Sequence, residues 1–303
     1  MGDPRLLALA LALDALVGDP YWLWTRVPHP VTLFGRAIGW LERRMNRATD
    51  SPRMRRVAGI GLLVILMAPL VLIGAKISGP VVDVIVVAVL VAQRSLYDHV
   101  RAVAAARDLA AARTAVGHIV GRDPATLDQA GVCRAAIESC AESLSDGIVA
   151  PVFWYALAGL PGILAYKLVN TADSMIGHKD DRYIDFGWAA ARLDDAMNLI
   201  PARASGLMIA LVSRRFGEVA AIMRRDAPLH DSPNAGWPEA AMAASLDVAL
   251  GGPRIYDGER HDGPWFNGQG RQEATPADIG ASLRLLAGAC LVQFSVVVLA
   301  ALV

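Results

Sequence analysis

The chain has 303 residues, of which 54% are hydrophobic and 19% charged, with no net charge and a mean hydropathy of +0.39. A soluble domain carries about 25% charged residues, so the composition points to an all-α integral membrane protein with a sizeable polar part. It argues against a nucleic-acid partner, because no basic surface is interleaved with aromatics. The basic residues are nearly all Arg; the lysines are Lys76, Lys167 and Lys179. The cysteines, Cys133, Cys140 and Cys290, form neither a CxxC nor a Cys/His zinc spacing and imply no disulfide framework.

Residues 5–17 predict a short apolar helix ended by Gly18-Asp19-Pro20. It is shorter than the roughly 20 apolar residues of a span, and Asp14 interrupts it, so a retained first helix is expected rather than a signal peptide. His29 lies between two prolines in extended backbone. A helix follows from about Thr32 to Asn46 and leads into a basic loop over 42–56, which the positive-inside rule places in the cytoplasm. Val57 to Ala75 reads as a transmembrane helix and Val81 to Ala92 as its return across a Ser78-Gly79-Pro80 turn, with Asp83 reaching the far interface.

Gln93 to about His118 predicts one amphipathic helix with Arg94, Tyr97, Asp98 and Arg101 on one face and an Asp98–Arg101 pair. Thr126 or Asp128 caps the next helix, which runs to Ser145 and stops before Gly147. Arg134, Glu138 and Glu142 form one stripe on it, extended by Asp146: a metal site, or an Arg–Glu surface ladder. Residues 148–169 are apolar but broken by Pro151 and Pro161, and 199–212 carry Pro201 and Arg203, so both predict re-entrant or broken membrane segments. Arg214 to Arg225 reads as an interfacial helix, and Pro238 as the first turn of a helix that stops at Gly251-Gly252. Residues 252–276 predict a cytoplasmic loop with little regular structure, and Thr275-Pro276 starts the final membrane helix, 277–303.

The polar stretch between the two broken segments, residues 167–198, concentrates the chemistry. Asn170 and Asp173 share one helical face; Asp194 and Asn198, four apart, share another, with Asp195 beside them. Carboxylates and amides so spaced can hold one or two Mg²⁺ ions against a polyphosphate. Lys167, Ser174, His178 and Lys179 add donors. Ionisable groups beside a bilayer are costly and usually functional.

The stretches GDPYW, PHPV, RSLYDHV, RDPATLDQAGVCRAAIESCAESLSDGIVAPVFWYAL, YKLVNTADSMIGHKDDRYIDFGWAAARLDDAMNLIPAR, SPNAGWPEAAMAASL and GGPRIYDG together resemble the CobD/CbiB family of cobalamin biosynthesis proteins, nearly end to end and in the family's order. The chain departs from that pattern at Ser143, where an Asn is expected after the Glu, and at 262–268, where a Lys is expected before the Pro. The resemblance implies adenosylcobinamide-phosphate synthase: ATP- and Mg²⁺-dependent amide ligation of adenosylcobyric acid, a corrinoid, with an amino-alcohol phosphate, (R)-1-amino-2-propanol O-phosphate or ethanolamine phosphate, releasing ADP. It implies a multi-pass enzyme of the bacterial inner membrane with its site facing the cytoplasm, in one catalytic domain over 1–303, with the lipid bilayer, other late enzymes of the pathway or a second copy of the chain as partners.

Such a ligation through an acyl phosphate needs polyphosphate neutralisation, positioning of two anionic substrates and a proton acceptor. Asp173, Asp194 and Asp195 are assigned as Mg²⁺ ligands, with Glu138, Glu142 and Asp146 as the competing set. His29 and His178 are candidate general bases, since imidazole titrates near neutrality, and Lys167 joins them as a catalytic cation. Asp19, Arg94, Tyr97, Asn170, Ser174, Lys179, Asn198, Arg203, Asn234 and Glu239 are assigned to substrate and phosphate binding. A cavity floored by the broken segments is expected to bring both carboxylate sets to one site. Two other classes share the pattern: a membrane-embedded Mg²⁺-dependent transferase acting on a diphosphate, and a transporter or scaffold, which also carries short, Pro/Gly-broken apolar segments.

Overall fold

The structure, a computed structural model, describes residues 1–121, 123–256, 259–261 and 263–303; the side chains of Tyr21, 254–256 and 259–261 are outside the description. Helices dominate it: α1 (Pro4–Val17), α2 (Tyr21–Trp24), α3 (Pro30–Met45), α4 (Pro52–Ile77), α5 (Pro80–Leu90), α6 (Gln93–Ala104), α7 (Leu109–Val116), α8 (Gln129–Ser143), α9 (Ala150–Ile176), α10 (Trp188–Val212), α11 (Phe216–Asp226), α12 (Gly236–Leu246) and α13 (Pro276–Leu302). Four stretches are long and apolar enough to cross a membrane: Pro52–Ile77, Pro80–Ala104, Gln129–Ile176 and Pro276–Leu302. The chain is an all-α integral membrane protein. It divides into two compact units, one of residues 1–92, 150–198 and 297–303, the other of residues 93–149 and 199–296.

In the first unit α4 packs along α9, α1 along α5, and α3 against both α4 and α9. Ile38 and Leu41 of α3, Leu62 and Leu63 of α4, Leu168, Ala172 and Ile176 of α9, Phe186 just before α10 and Ala190 in its first turn form one buried cluster. This cluster fixes the polar ends of α9 and α10 by packing two other helices, α3 and α4, against them. The first helix starts and stops as its sequence predicts: Asp3 caps α1 through Arg5 N–H at 2.8 Å, and Gly18 ends it at φ +63°. Asp83 is buried in the α4–α5 turn, where Ser78 Oγ donates to it at 3.0 Å, Gly79 N–H at 3.0 Å and Tyr155 O–H at 2.8 Å. Taking those donors is how a carboxylate is kept under apolar surroundings.

The broken segment at 148–169 exists as a kink within α9, at Gly159, whose φ of +63° lies in the left-handed region that glycine alone enters freely. The other predicted break does not. Residues 199–212 are the second half of α10, which begins at Trp188 inside the polar stretch and runs through Pro201. Proline removes the N–H that would satisfy the carbonyl four residues earlier. That carbonyl belongs to Met197, and Trp154 Nε1–H of α9 donates to it at 3.1 Å, so the helix continues.

Further departures from expectation are local. The basic connection narrows to 46–51, between α3 and α4. The helix read at 93–118 breaks after Ala104, and Asp108 caps a separate α7 through Ala111 N–H at 2.8 Å. Asp128 caps α8 as predicted, through Gly131 N–H at 2.7 Å, but the helix does not stop before Gly147: a π-helical turn, Leu144–Val149, carries it into α9. In the second unit α8 packs against α6, α7 and α12, and α12 against α11. The helix α12 stops at Leu246, with Asp247 in the left-handed conformation, well before Gly251-Gly252. The following loop is more ordered than its composition suggests. Leu250–Gly251 pairs antiparallel with Trp265–Phe266, and Arg254–Tyr256 with Glu259–His261. Asp257, Gly258 and Asp262 of that loop lie outside the described residues. Thr275 starts α13, its N–H and Oγ1–H both donating to Asp278 Oδ2 at 2.7 Å.

Candidate active site

The polar stretch 167–198 is the end of α9, an eleven-residue connection over 177–187, and the first half of α10. Asp194 is buried, and both its oxygens are held: Asn170 Nδ2–H of α9 donates to Oδ1 at 3.3 Å, and Asn198 Nδ2–H to Oδ2 at 2.9 Å. Tyr166 O–H donates to Asn198 Oδ1 at 2.9 Å, which fixes the amide so that its NH₂ faces Asp194. The result is a chain Tyr166–Asn198–Asp194–Asn170 joining two helices. Burial pushes the Asp194 carboxyl above the usual carboxylate range, against the pull of Asn198 and Asn170; Asp195 adds to the rise and the Lys167 ammonium opposes it. Asp195 is raised too, by burial, against Arg192 and Lys179. Two adjacent carboxylates in a poorly solvated place favour a bound cation or a proton, and the Lys167 and Lys179 ammoniums oppose it.

The remaining residues of the first unit surround this chain less tightly. Ser174 Oγ–H is turned back to Asn170 O at 2.9 Å. His178 and Lys179 are exposed on the connection, with the His178 ring tilted against Tyr183, centroids 6.1 Å apart. Asp173 lies in the last turn of α9, half-buried. His29 is the N-cap of α3: Val31 N–H donates to Nδ1 at 3.3 Å, so the proton sits on Nε2, which faces Val89 O at 3.2 Å and Asp19 Oδ1 at 3.7 Å. Both ring nitrogens are therefore engaged. Burial holds this imidazole below its ordinary value, with Asp19 pulling the other way. Asp19 also accepts from Trp24 Nε1–H at 3.1 Å.

The connection is clamped to α3 and α4. Arg182 Nη2–H donates to buried Glu42 Oε1 at 2.8 Å and Arg182 Nε–H to the same oxygen at 3.1 Å. Asn46 Nδ2–H donates to Arg182 O at 3.0 Å, and Arg55 donates to Asn46 Oδ1 at 3.0 Å, to Asp181 O at 3.1 Å and to Arg182 O. Arg56 pairs with Asp185 at 2.9 Å. Gly59 of α4 admits this segment: a Cβ there would collide with Phe186 O.

The other assigned residues belong to the second unit. Glu138 is buried and accepts Gly251 N–H at 2.8 Å; Glu142 is exposed and Asp146 half-buried. Arg134 turns from the carboxylate stripe to donate to Gln272 O at 2.8 Å and lies over the Trp265 ring. Arg94 pairs with Asp98 at 2.7 Å, in place of the expected Asp98–Arg101 pair, with Tyr97 half-buried beside it. Arg203 donates to Leu199 O at 2.6 Å and stacks on Trp237, 4.5 Å to the centroid. Asn234 and Glu239 are buried. Glu239 Oε1 lies 3.6 Å from His230 Nε2, and Ser232 N–H donates to His230 Nδ1 at 2.8 Å, so the His230 proton points at the carboxylate. Tyr166 and His230 were not legible as site residues; their signals were a Tyr one turn before Asn170 and a His just ahead of a Ser-Pro-Asn turn.

Among the described residues no group of three or more His, Cys, Asp or Glu side chains is placed to hold a metal ion by itself. Mg²⁺ commonly takes only one or two carboxylates, filling its octahedron with water and substrate phosphate.

The fold and these residues define a helical membrane protein with a carboxylate–amide centre on two adjoining helices. Residues 7–286 match the family described as CobD/Cbib protein, and the chain belongs to that family. It is 50% identical to the cobalamin biosynthesis protein CobD of Sinorhizobium sp over 98% of both chains, and 51% identical to that of Brucella suis biovar 1 over 98% of this chain and 97% of the relative. The CobD protein of Rhodobacter capsulatus is 48% identical over 99% of each. No solved structure gives a significant match.

Proposed function

We propose that this chain, a member of the CobD/CbiB family with a role in cobalamin biosynthesis, is an ADP-forming acid–amine ligase. It joins adenosylcobyric acid to an amino-alcohol phosphate, giving adenosylcobinamide phosphate. The observation that carries this reading is the Tyr166–Asn198–Asp194–Asn170 chain, built from the stretches that carry the family resemblance. It holds a buried carboxylate in one orientation, with Asp195 adjoining it. In this reading Asp194 and Asp195, with Asp173, hold Mg²⁺, which when bound neutralises polyphosphate charge. Lys167 and Lys179 meet phosphate oxygens as flexible point charges. The exposed His178 takes the proton from the attacking ammonium, since His29 has both ring nitrogens committed. The clamp of Arg182 on Glu42 keeps the connection that carries His178 and Lys179 in place. The site faces the cytoplasm of a bacterial inner membrane, where ATP is available.

The test is purified protein in detergent with ATP, Mg²⁺, adenosylcobyric acid and aminopropanol phosphate. ADP release that needs both organic substrates, with the amide product seen by mass spectrometry, is the expected result. Pyrophosphate release, or no turnover by folded protein, overturns the reading.

A further inference from the structure

Apart from the centre above, the first unit carries a groove along α3. Thr32, Gly35, Arg36, Gly39 and Arg43 form one face of that helix, and Met175 of α9 closes the side; the space is about 420 Å³. Ligand clefts run from about 300 to 1,000 Å³. The glycines make the space: a Cβ at Gly35 would meet Met175 Sδ at 3.3 Å, and one at Gly39 would meet Arg43 Nη1 at 3.4 Å and Met175 Cε at 3.8 Å. An ordinary side chain at either position would fill the floor.

The charge of the groove is unbalanced. The neighbouring arginines are committed: Arg55 to Asn46 and Asp181, Arg56 to Asp185, Arg182 to Glu42, and Arg44 to the Trp40 ring at 3.9 Å. Arg36 and Arg43 have no ion pair or hydrogen bond among the described residues, and no carboxylate lines the groove. Two guanidiniums one heptad apart, with the Thr32 hydroxyl one turn before Gly35, suit a planar-donor grip on a phosphate. On the same helix Leu33 and Trp40 are each 48% exposed, as expected of a helix at a membrane–water interface.

We infer that the α3 groove is a binding site for a phosphate ester, held by Arg36 and Arg43. The ester comes either from the headgroup of an anionic lipid or from a soluble phosphate compound such as a nucleotide. The inference does not depend on the ligase reading, since it rests on the groove alone.

The experiment uses the full chain in detergent and two probes. Binding of ADP is measured by calorimetry, and binding of dioleoylphosphatidylglycerol by native mass spectrometry. The variants are the Arg36→Gln/Arg43→Gln pair, which removes charge at exposed positions, and Gly39→Leu, which fills the groove without removing charge. At least one probe is expected to bind about tenfold more weakly in both variants, with the melting temperature unchanged. Loss for the lipid alone assigns a headgroup, loss for ADP alone assigns a soluble phosphate, and loss for both assigns a shared phosphate grip. If neither probe binds the wild-type chain, or both bind folded variants as they bind the wild type, the inference is overturned.

Discussion

Asn198 donates its amide N–H to Asp194 Oδ2 at 2.9 Å from one turn further along α10. An amide can face a carboxylate with the wrong end, and what prevents it here is Tyr166, whose O–H occupies Asn198 Oδ1 at 2.9 Å. Orientation in this centre is therefore set by a residue that does not touch Asp194. Tyr166→Phe removes the lock and leaves the ring packed. It is expected to lower kcat about tenfold with little change in KM, because a misaligned group costs the transition state more than ground-state binding. Steady-state kinetics in the ligase assay checks this, and an unchanged kcat contradicts the positioning role.

Part of this arrangement was legible in the sequence. The spacing of Asp194 and Asn198 is a helical i, i+4 pair and needs no tertiary knowledge. Asp128 and Gly18 announced their helix ends through residue type. The start of α10 was not legible, because Pro201 reads as a break. The structure shows its compensation: Trp154, 43 positions away from Met197 in sequence, satisfies the orphaned carbonyl. Such partners are invisible to local reading. Asp98 likewise had two basic choices on one helix, Arg94 and Arg101, and which of them it meets was not predictable from spacing. The stop at Asp247 depends on a left-handed residue other than glycine, which composition does not flag.

His29 carries a pH dependence whose sign follows from its cap. Burial holds its folded pKa below the unfolded value of about 6.5. A group depressed in this way contributes stability that is present in full above the unfolded pKa and lost as pH falls through the folded pKa. Protonation also removes the Nδ1 lone pair that accepts Val31 N–H. His29→Asn keeps an N-cap acceptor without the titration. Thermal melts in detergent at about pH 7.5 and about pH 5 are expected to show a larger acid loss in the wild type than in the variant. Parallel losses in both sink the assignment.

The clamp on the 177–187 connection predicts a second stability effect. Glu42 is buried and its Arg182 partner is mostly exposed, so solvent screening discounts the pair. Arg182→Gln still leaves a buried carboxylate short of a cation, an expected cost of about 1–2 kcal/mol. Gly59→Ala forces a methyl into Phe186 O and is expected to cost about 1–3 kcal/mol by overpacking. Both variants should make the connection more sensitive to limited proteolysis, mapped by mass spectrometry. Unchanged cleavage with a lowered melting temperature would show that the clamp supports the helices and not the connection.

The two carboxylate sets predict opposite phenotypes. Glu138 is engaged structurally: its Oε1 accepts Gly251 N–H at 2.8 Å beside the short strand pair, and only 7% of it is exposed. Removing a buried acceptor leaves the donor unsatisfied, which costs about 1–3 kcal/mol. Glu138→Ala should therefore lower the melting temperature, while Glu138→Gln, which keeps an acceptor oxygen, should recover most of it and retain turnover. Glu142 is exposed, and Glu142→Gln should be near neutral in both stability and rate. Asp194→Asn has the reverse signature. Burial disfavours the charge of this carboxylate and holds it above its ordinary pKa, but Asn turns one accepting oxygen into an NH₂ that faces the Asn170 or Asn198 donor, so only a modest loss of stability, about 1 kcal/mol, is expected at neutral pH. Turnover should fall about a hundredfold or more, the scale of losing one electrostatic stabiliser of the reacting groups. Melting temperature and ADP release measured on the same four preparations separate the sets. An active Asp194→Asn beside an inactive but folded Glu138→Gln would move the metal assignment from the α10 carboxylates to the α8 stripe.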